Sequence, residues 1–370
     1  MKKIGIVTFH ASHNYGSMLQ AYALQTYLAK LGHDVQIINL RPLRQKVLYE
    51  NPNVFSNFSI KKLAKAIMSP SIYFSNIKKW HMFEDFLLKY LRTTEKEYST
   101  YEEIQKDLSN CNFDVLISGG DQIWNQKCKD FELSFLLPFK AKGIKKISYA
   151  PSMGKQTMAM SESPYVENIL TYLREYDILS VREPDASEVL SKLLCREVPI
   201  VADPAFLLEV SDYDKIVEQK PMVEGRYLFY YTPTHLFAKK AYMAAEEYAR
   251  ERGLKMVSSN VKSWQKDVVQ VNASGPLEFL NLLKNAEFVC GQSFHLALFS
   301  LLYHKEFAVL NGDKDPRMVN LLSLFHIPNR GINVENPDFS KMEPLDFSLI
   351  EGEISSLRNK AESFIQSSLN

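Results

Sequence analysis

Short apolar stretches alternate with helical stretches along almost the whole of this 370-residue sequence. The series opens with a β-branched strand from Lys3 to Phe9, a polar turn, a helix from about Met18 to Leu31, and a second strand from Asp34 to Leu40. The same alternation resumes with a strand from Tyr227 to Tyr231. Such a succession predicts parallel sheets covered by helices. We therefore expect an α/β protein of two Rossmann-like domains that face a central cleft.

The length of the chain is too great for one ordinary core and predicts two domains. We place the N-terminal domain at residues 1–205, with a helical insertion at about 42–112, and the C-terminal domain at residues 206–345. The predicted hinge starts at Asp203-Pro204. Residues 346–370 are expected to form a helix that packs near the domain boundary.

The segment from Cys290 to Tyr303 is predicted to join a buried strand to a buried helix through a tight polar turn. Gly291 permits a turn that a side chain would forbid, and Ser293 is a plausible N-cap. His295 opens the helix, beside the positive end of its dipole. That position suits an anionic ligand, and it equally suits a histidine whose hydrogen bonds only stabilise the helix start.

Two further turns follow predicted strands. The turn from His10 to Ser17 lacks a G-x-G-x-x-G fingerprint, so it is not a dinucleotide site. Asn14, Gly16 and Ser17 either present amides and hydroxyls to a sugar or phosphate, or merely cap the helix. The strand from Phe113 to Ile117 runs into the polar segment Ser118–Asn125, where paired glycines allow close approach of a ligand.

Arg182 ends a predicted strand at residues 178–183. Its guanidinium either pairs with Glu183 or another carboxylate, or projects into the cleft as an anion ligand, because guanidinium grips carboxylate and phosphate in a bidentate manner. A helix is predicted just before this strand, from about Tyr165 to Tyr176.

Charge and cysteine content narrow the class of protein. The net charge of +1 gives no reason to expect nucleic-acid binding. The four cysteines are scattered without a C-x-x-C pair, which fits a reducing compartment, and no metal-binding cluster such as H-E-x-x-H is present. Neither a signal peptide nor an apolar run of membrane-spanning length is found. We expect a cytoplasmic protein with no metal and no cofactor.

The insertion from Pro42 to about Asn112 is rich in lysine and aromatic residues. Its helical stretches include Lys61–Met68 and Ile77–Leu91. A basic amphipathic insertion can lie on an anionic membrane surface. The alternative is a helical insertion that covers the first domain and keeps its lysines in water.

Several motifs together resemble the polysaccharide pyruvyl transferase family. Each motif alone is weak, but five of them occur in the family's order over nearly the whole chain. These motifs are Asn14–Gln25, Ser118–Asn125, Ser180–Glu183, Val201–Leu208 and Gln292–Ser300.

The resemblance implies a GT-B-like architecture and a transferase that uses phosphoenolpyruvate as co-substrate. Family members transfer the pyruvyl group to sugar hydroxyls of surface glycans, such as exopolysaccharide or capsule, forming a cyclic ketal and releasing phosphate. The N-terminal domain would then bind the acceptor and the C-terminal domain the donor. The acceptor is a sugar or a lipid-linked oligosaccharide, with peripheral contact at the inner membrane face and homo-oligomer formation as open possibilities.

The resemblance also assigns roles to individual residues. His295 matches the family's general acid, and Arg182 matches an arginine that binds the anionic donor. Asp121 is a second catalytic candidate on chemical grounds rather than by the resemblance: it either orients or deprotonates an acceptor hydroxyl, or it only caps its glycine turn. Some members carry an arginine where this chain has Ser293, and Arg317 is the candidate to replace it. The predicted phosphoenolpyruvate ligands are Arg182, Ser293, Phe294 and Arg317. The predicted acceptor ligands are His13, Asn14, Tyr15, Gly16, Ser17, Gln122, Trp124 and Asn125.

Two other functions fit the same predicted fold, because fold alone does not determine function. One is a nucleotide-sugar glycosyltransferase, although no obvious Glu-x₇-Glu-like arrangement is present in the second half. The other is a non-catalytic glycan-binding protein, for which replacing His295 by alanine would leave ligand affinity unchanged.

Overall fold

A computed structural model describes residues 1–140, 142–154, 166–233, 236–259 and 268–370. These residues form two compact units. The first unit consists of Met1–Glu50, Leu87–Leu208 and Ser355–Asn370, and the second unit consists of Asn51–Phe86 and Glu209–Ile354.

Strands and helices alternate in both units, as the sequence predicts. In chain order the strands are β1 (Lys3–Val7), β2 (Asp34–Ile37), β3 (Val115–Gly119), β4 (Lys145–Tyr149), β5 (Tyr227–Tyr231), β6 (Lys255–Ser259), β7 (Val268–Gln270), β8 (Phe288–Gly291), β9 (Glu306–Leu310) and β10 (Gly331–Ile332). The helices are α1 (Tyr15–Lys30), α2 (Leu43–Leu48), α3 (Ile60–Met68), α4 (Pro70–Tyr90), α5 (Tyr101–Cys111), α6 (Val166–Arg174), α7 (Pro184–Leu194), α8 (Val210–Asp214), α9 (Lys239–Glu251), α10 (Pro276–Asn285), α11 (Phe294–Leu302), α12 (Pro316–Leu324) and α13 (Phe347–Leu369).

The sheet of the first unit has four parallel strands in the order β2-β1-β3-β4. Ile6 lies opposite Ile37 on one side and Ile117 on the other. The residues of β3 are all buried, which explains why these strands read as continuous apolar runs. The predicted strand at 178–183 is present only as two isolated parallel bridges, Ile147–Ile178 and Val181–Ile200.

The sheet of the second unit has six parallel strands in the order β10-β9-β8-β5-β6-β7. The chain runs outward from β5 to β7, then returns to the other side of β5 and runs outward again. The order therefore reverses between β5 and β8. In the first unit the corresponding reversal lies between β1 and β3. In open α/β sheets, ligands bind beyond the carboxyl ends of the strands at such a reversal.

Most predicted element bounds are confirmed to within a few residues, and the differences have local causes. Helix α1 begins at Tyr15 rather than near Met18, because the Asn14 side chain accepts hydrogen bonds from the amides of Gly16 and Ser17 at 3.0 and 3.4 Å. Helix α6 begins at Val166, and the predicted start at Tyr165 lies outside the described residues.

The observed units divide between Leu208 and Glu209, close to the expected hinge at Asp203, and the expected domain bounds stay a prediction. Residues 51–86 of the insertion group with the second unit. Within that unit Gly275 and Met82 approach each other closely, since a Cβ built on Gly275 would lie 2.7 Å from Cβ of Met82. The C-terminal helix is present as α13, and Arg358 on it donates to the carbonyl of Phe206 within the first unit at 3.0 Å.

None of the helices in the described part of the chain is both long enough and apolar enough to cross a membrane.

Candidate functional site

In the first unit, Ser17 and Asp121 meet at the reversal of the sheet. Ser17 follows β1 in the first turn of α1, and its hydroxyl donates to Oδ2 of Asp121, which follows β3. The chain reaches this position through a left-handed turn, with φ of 69° at Gly120 and 48° at Asp121. Glycine suits Gly120 because of this positive φ, and a Cβ there would also lie 1.6 Å from Oε1 of Gln20, whose side chain would have to shift.

The Asp121 carboxylate is held on both oxygens. Its Oδ1 accepts from the amide of Gln122 at 2.8 Å, while Oδ2 accepts from Ser17. A buried carboxylate oriented by two donors can accept a further proton or hydrogen bond from a ligand hydroxyl. The arrangement fits the predicted catalytic role of Asp121, which stays a prediction.

The other predicted acceptor ligands differ in how far their side chains are exposed to solvent. Asn14 is exposed and caps α1, so the capping alternative is present in the structure. His13 is half-buried, and its ring stacks on Tyr49 with centroids 5.1 Å apart. Gly16 lies in the buried first turn of α1, and Tyr15 is only 2% exposed.

The predicted acceptor ligands in the loop after Asp121 also differ in solvent exposure. Gln122 and Asn125 are half-buried, and the Asn125 amide donates to Oε1 of Gln122 at 3.0 Å. Trp124 is 3% exposed and packs in the core of the first unit, where its indole N–H donates to Oγ of Ser118 and to the carbonyl of Phe135. Trp124 thus supports the loop from inside, and its contact with a sugar stays a prediction.

A buried cluster around Asp130 lies in the first unit and was not predicted. Ser12 donates to Oδ2 of Asp130 at 2.8 Å, Tyr49 donates to the same oxygen at 3.4 Å, and Nε2 of Gln45 donates to Oγ of Ser12 at 3.2 Å. Burial raises the pKa of Asp130, the charge of Asp121 raises it further, and the hydrogen bond from Ser12 opposes the shift. No local sequence pattern predicts the cluster, because Asp130 and Ser12 are 118 residues apart.

The raised pKa of Asp130 predicts a pH-dependent stability. The folded state binds the carboxyl proton of Asp130 more tightly than the unfolded state does. Protonated Asp130 therefore contributes to the free energy of unfolding at low pH, and this contribution is lost as the pH rises through the unfolded pKa of about 3.9 and then through the raised folded pKa. The variant Asp130→Asn should therefore gain stability relative to the unmodified protein between acidic and neutral pH, measured by denaturant unfolding.

The control is Asp338→Asn, since the pKa of Asp338 is lowered by hydrogen bonds from the side chain and amide of Ser340. This variant should show no gain over the same pH interval. An identical pH profile for Asp130→Asn and the unmodified protein would contradict the account of Asp130.

Arg182 is held by two carboxylates inside the first unit, as one alternative from the sequence predicts. Its Nε donates to Oε1 of Glu183 at 3.0 Å, and Nη1 donates to Oδ2 of Asp203 at 2.6 Å. Burial alone would lower the pKa of Arg182, but the charges of Glu183 and Asp203 outweigh burial and raise it. The cluster of one guanidinium and two carboxylates carries a net negative charge, and this charge disfavours an anionic ligand. Donor binding by Arg182 stays a prediction.

In the second unit, His295 lies beyond β8 at the reversal of the sheet. Ser293 is the N-cap of α11, and its hydroxyl accepts from the amide of Leu296 at 3.4 Å, which confirms the predicted cap. The helix begins at Phe294, one residue before the predicted start. His295 is 6% exposed, and the Phe294 ring stands perpendicular to its imidazole at 5.3 Å. A buried imidazole in the first turn of this helix can transfer a proton to an anionic ligand.

Cys290, the other reactive side chain of this turn, is not available as a nucleophile. Burial raises the pKa of its thiol, so the thiol stays protonated near neutral pH. The acid–base role of His295 stays a prediction.

Gly291 joins β8 to this turn at a position where no side chain fits. A Cβ at Gly291 would lie 1.7 Å from the backbone carbonyl oxygen of Tyr231 on β5. We expect Gly291→Ala to lower the free energy of unfolding by about 3 kcal/mol or more, because backbone atoms must separate. Chemical denaturation measures the effect.

The matched control for that substitution is Gly352→Ala on α13, where a Cβ meets no atom within 4 Å. This substitution should leave the free energy of unfolding unchanged or raise it slightly, since alanine has a higher helix propensity than glycine. Equal stabilities for the two variants would contradict the close approach described at Gly291.

Two more polar side chains follow strands of the second sheet. The Oγ1 atom of Thr232, directly after β5, is buried and has no hydrogen-bond partner within the described residues. A polar residue next to the apolar strand end is the signal that could have identified it. Arg317, the predicted replacement for a family arginine, forms a bidentate pair with Asp315 at 3.2 and 3.1 Å. Its role in donor binding stays a prediction.

Across the described ranges, no cluster of three or more histidine, cysteine, aspartate or glutamate side chains is arranged to hold a metal ion.

Solved structures with a similar fold come from sugar-nucleotide enzymes. A UDP-GlcNAc 2-epimerase from Neisseria meningitidis, bound to UDP-GlcNAc, superposes with a TM-score of 0.56 at 10% sequence identity, covering 100% of this chain and 99% of that chain. The S. aureus MnaA–UDP structure gives a TM-score of 0.53 at 10% identity, covering 96% and 88%. A putative UDP-N-acetylglucosamine 2-epimerase from Listeria monocytogenes gives 0.51 at 12% identity, covering 98% and 89%. At such low identity these similarities show the fold alone, and they confirm the predicted GT-B type.

Sequence comparisons identify the family. Among curated proteins, none matches this chain significantly. The family model described as polysaccharide pyruvyl transferase matches residues 14–314, which includes His295, Asp121 and all five motifs noted above. The chain therefore belongs to the polysaccharide pyruvyl transferase family.

Proposed function

We propose that this transferase moves the pyruvyl group of phosphoenolpyruvate onto two hydroxyls of one sugar in a polysaccharide or its lipid-linked precursor. The product is a cyclic pyruvate ketal, and phosphate is released. Family membership supports pyruvyl transfer to a glycan. The observation that carries the choice of donor is His295, a buried imidazole in the first turn of α11 at the reversal of the second sheet.

In the first step an acid must protonate a carbon atom. His295 would donate a proton to the methylene carbon of phosphoenolpyruvate, which leaves an oxocarbenium-like centre at the carbon that carries the phosphate. An imidazole suits this step because its ordinary pKa lies near neutrality. The positive end of the α11 dipole favours the negative charge of the donor.

The second step adds the acceptor. One sugar hydroxyl attacks the oxocarbenium-like carbon and loses its proton, for which the Asp121 carboxylate is the proposed acceptor. The carbon–oxygen bond to phosphate then breaks, and phosphate leaves with the electron pair. The second hydroxyl closes the ketal, and its proton neutralises the departing phosphate. The proton that Asp121 takes from the first hydroxyl passes to solvent, and His295 regains from solvent the proton that it gave to carbon, so the net change is one proton on the methyl group and one on phosphate.

Ser17 would position Asp121 for this role, since its hydroxyl donates to Oδ2 and leaves the amide of Gln122 to hold Oδ1. The exposed Asn14 and the half-buried His13 are the proposed contacts for the acceptor sugar.

The test is phosphate release from phosphoenolpyruvate with a panel of free and lipid-linked hexoses. We expect release only with a suitable acceptor, and a sugar product heavier by a pyruvate less one water. UDP-GlcNAc serves as the comparison donor, because structures of similar fold bind it. Acceptor-dependent release of UDP from UDP-GlcNAc, with no phosphate from phosphoenolpyruvate, would replace this proposal by a nucleotide-sugar reaction.

A further inference from the structure

Helix α3 of the second unit presents an apolar face to solvent. Ile60, Leu63, Ala64 and Ile67 recur at the spacing that places side chains on one side of a helix. Ile60 is 77% exposed and Ile67 is 72% exposed, and no residue of α3 is buried by the described part of the chain. In a helix on a protein surface such a face normally packs inward.

More exposed apolar side chains lie close to this face in the chain. Scattered exposed apolar residues are ordinary, but a group of them in one short segment marks a surface that binds something. These residues are Met68 at the end of α3 and Phe55, Phe58, Ile72 and Phe74 in the adjoining segments. We call α3 together with these residues the α3 surface.

The segment that carries the α3 surface is anchored by its other side chains. Val54 and Tyr73 are both buried, and the amide of Val54 donates to the Tyr73 hydroxyl at 3.0 Å. Lys62 donates to the carbonyl of Asn51 at 2.8 Å. The apolar face is therefore displayed by a folded segment.

The charge of the segment indicates its partner. Residues 51–83 contain no aspartate or glutamate, whereas they carry the lysines Lys61, Lys62, Lys65, Lys78 and Lys79. On α3, Lys61 lies beside the apolar face, whereas Lys62 and Lys65 lie on the far side of the helix. An apolar face flanked by lysines, with exposed phenylalanines beside it, has the composition of a helix that lies in the plane of a membrane interface.

We propose that the α3 surface binds an anionic lipid bilayer, with Ile60, Leu63 and Ile67 inserted between the headgroups and Lys61 and Lys65 on their phosphates. A second copy of this chain is a poorer partner, because it would bring two uniformly basic segments together. Binding at this surface would hold the enzyme on a membrane, whatever reaction it catalyses.

The experiment is co-sedimentation of the full chain with vesicles of phosphatidylcholine alone or mixed with phosphatidylglycerol. We expect binding to the anionic vesicles that weakens as salt is added, and weak binding to the neutral ones. Ile60→Ser with Ile67→Ser, and separately Lys61→Gln with Lys65→Gln, should each weaken binding about tenfold or more. All four side chains are solvent-exposed, so thermal unfolding should be unchanged.

Two matched controls use exposed residues elsewhere in the second unit. Lys239→Gln with Lys240→Gln removes the same charge, and Leu324→Ser with Leu349→Ser removes similar apolar area. Both should bind vesicles normally. Absence of binding to anionic vesicles, or equal losses in the controls, would overturn the proposal. A dimer that Ile60→Ser with Ile67→Ser dissociates, without any vesicle binding, would overturn it in favour of self-association.

Discussion

Replacing His295 by asparagine is expected to lower turnover by roughly 10²–10⁴-fold, while the affinity for phosphoenolpyruvate changes little. Asparagine retains the size and polarity of the position but cannot donate a proton to carbon. His295 lies in the first turn of α11, where the capping hydroxyl of Ser293 and the helix dipole are unaffected by the change. The loss should therefore fall on the chemical step.

Steady-state kinetics and calorimetric titration with phosphoenolpyruvate separate these effects. The control is His326→Asn, because His326 is exposed and has φ of 58°, a conformation that asparagine tolerates. It should retain normal turnover. A His295→Asn enzyme with a near-normal rate would remove His295 from the role of general acid.

Replacing Arg182 by alanine is expected to lower the free energy of unfolding by about 3–5 kcal/mol. The substitution leaves Glu183 and Asp203 buried without their counter-charge, and both carboxylates are then forced together. Arg182→Lys should recover part of the lost stability. A lysine ammonium restores the positive charge, but it can replace only some of the hydrogen bonds that the guanidinium donates to the two carboxylates.

The control for Arg182 is Arg174→Ala, which removes an exposed pair with Glu167 at 3.3 Å. It should change the stability little, because exposed ion pairs contribute little. Denaturant unfolding and phosphoenolpyruvate titration should be made on the same samples. An Arg182→Ala protein of normal stability that no longer binds phosphoenolpyruvate would contradict the structural role and establish Arg182 as a donor ligand.

The fold could be predicted because its signals are local. Parallel strands buried on both faces read as short apolar runs, and several are followed by a helix with its own start signal, as at Ser293. The residues at the sheet reversals could be predicted for the same reason. Asp121 and His295 each lie within a few residues of the end of a strand, so their position at a carboxyl edge needs no knowledge of distant residues.

What the sequence did not predict depends on distant partners. The Asp130 cluster joins residues from three separate parts of the first unit, and nothing near Asp130 indicates Ser12 or Tyr49. The sequence left open whether Arg182 pairs, and its contact with Asp203 spans 21 residues. The grouping of residues 51–86 with the second unit includes a close approach of Gly275 and Met82, which lie far apart in the chain, and helical periodicity cannot specify such a contact.

The most direct test of the account is to carry out the reaction in D₂O and examine the sugar product by mass spectrometry and NMR. Protonation of the methylene carbon from solvent through His295 predicts a cyclic ketal whose methyl group contains one deuterium, with one phosphate released for each ketal formed. A product that retains vinyl protons, a ketal without deuterium, or an acceptor left unchanged in the presence of phosphoenolpyruvate would contradict the proposed transfer.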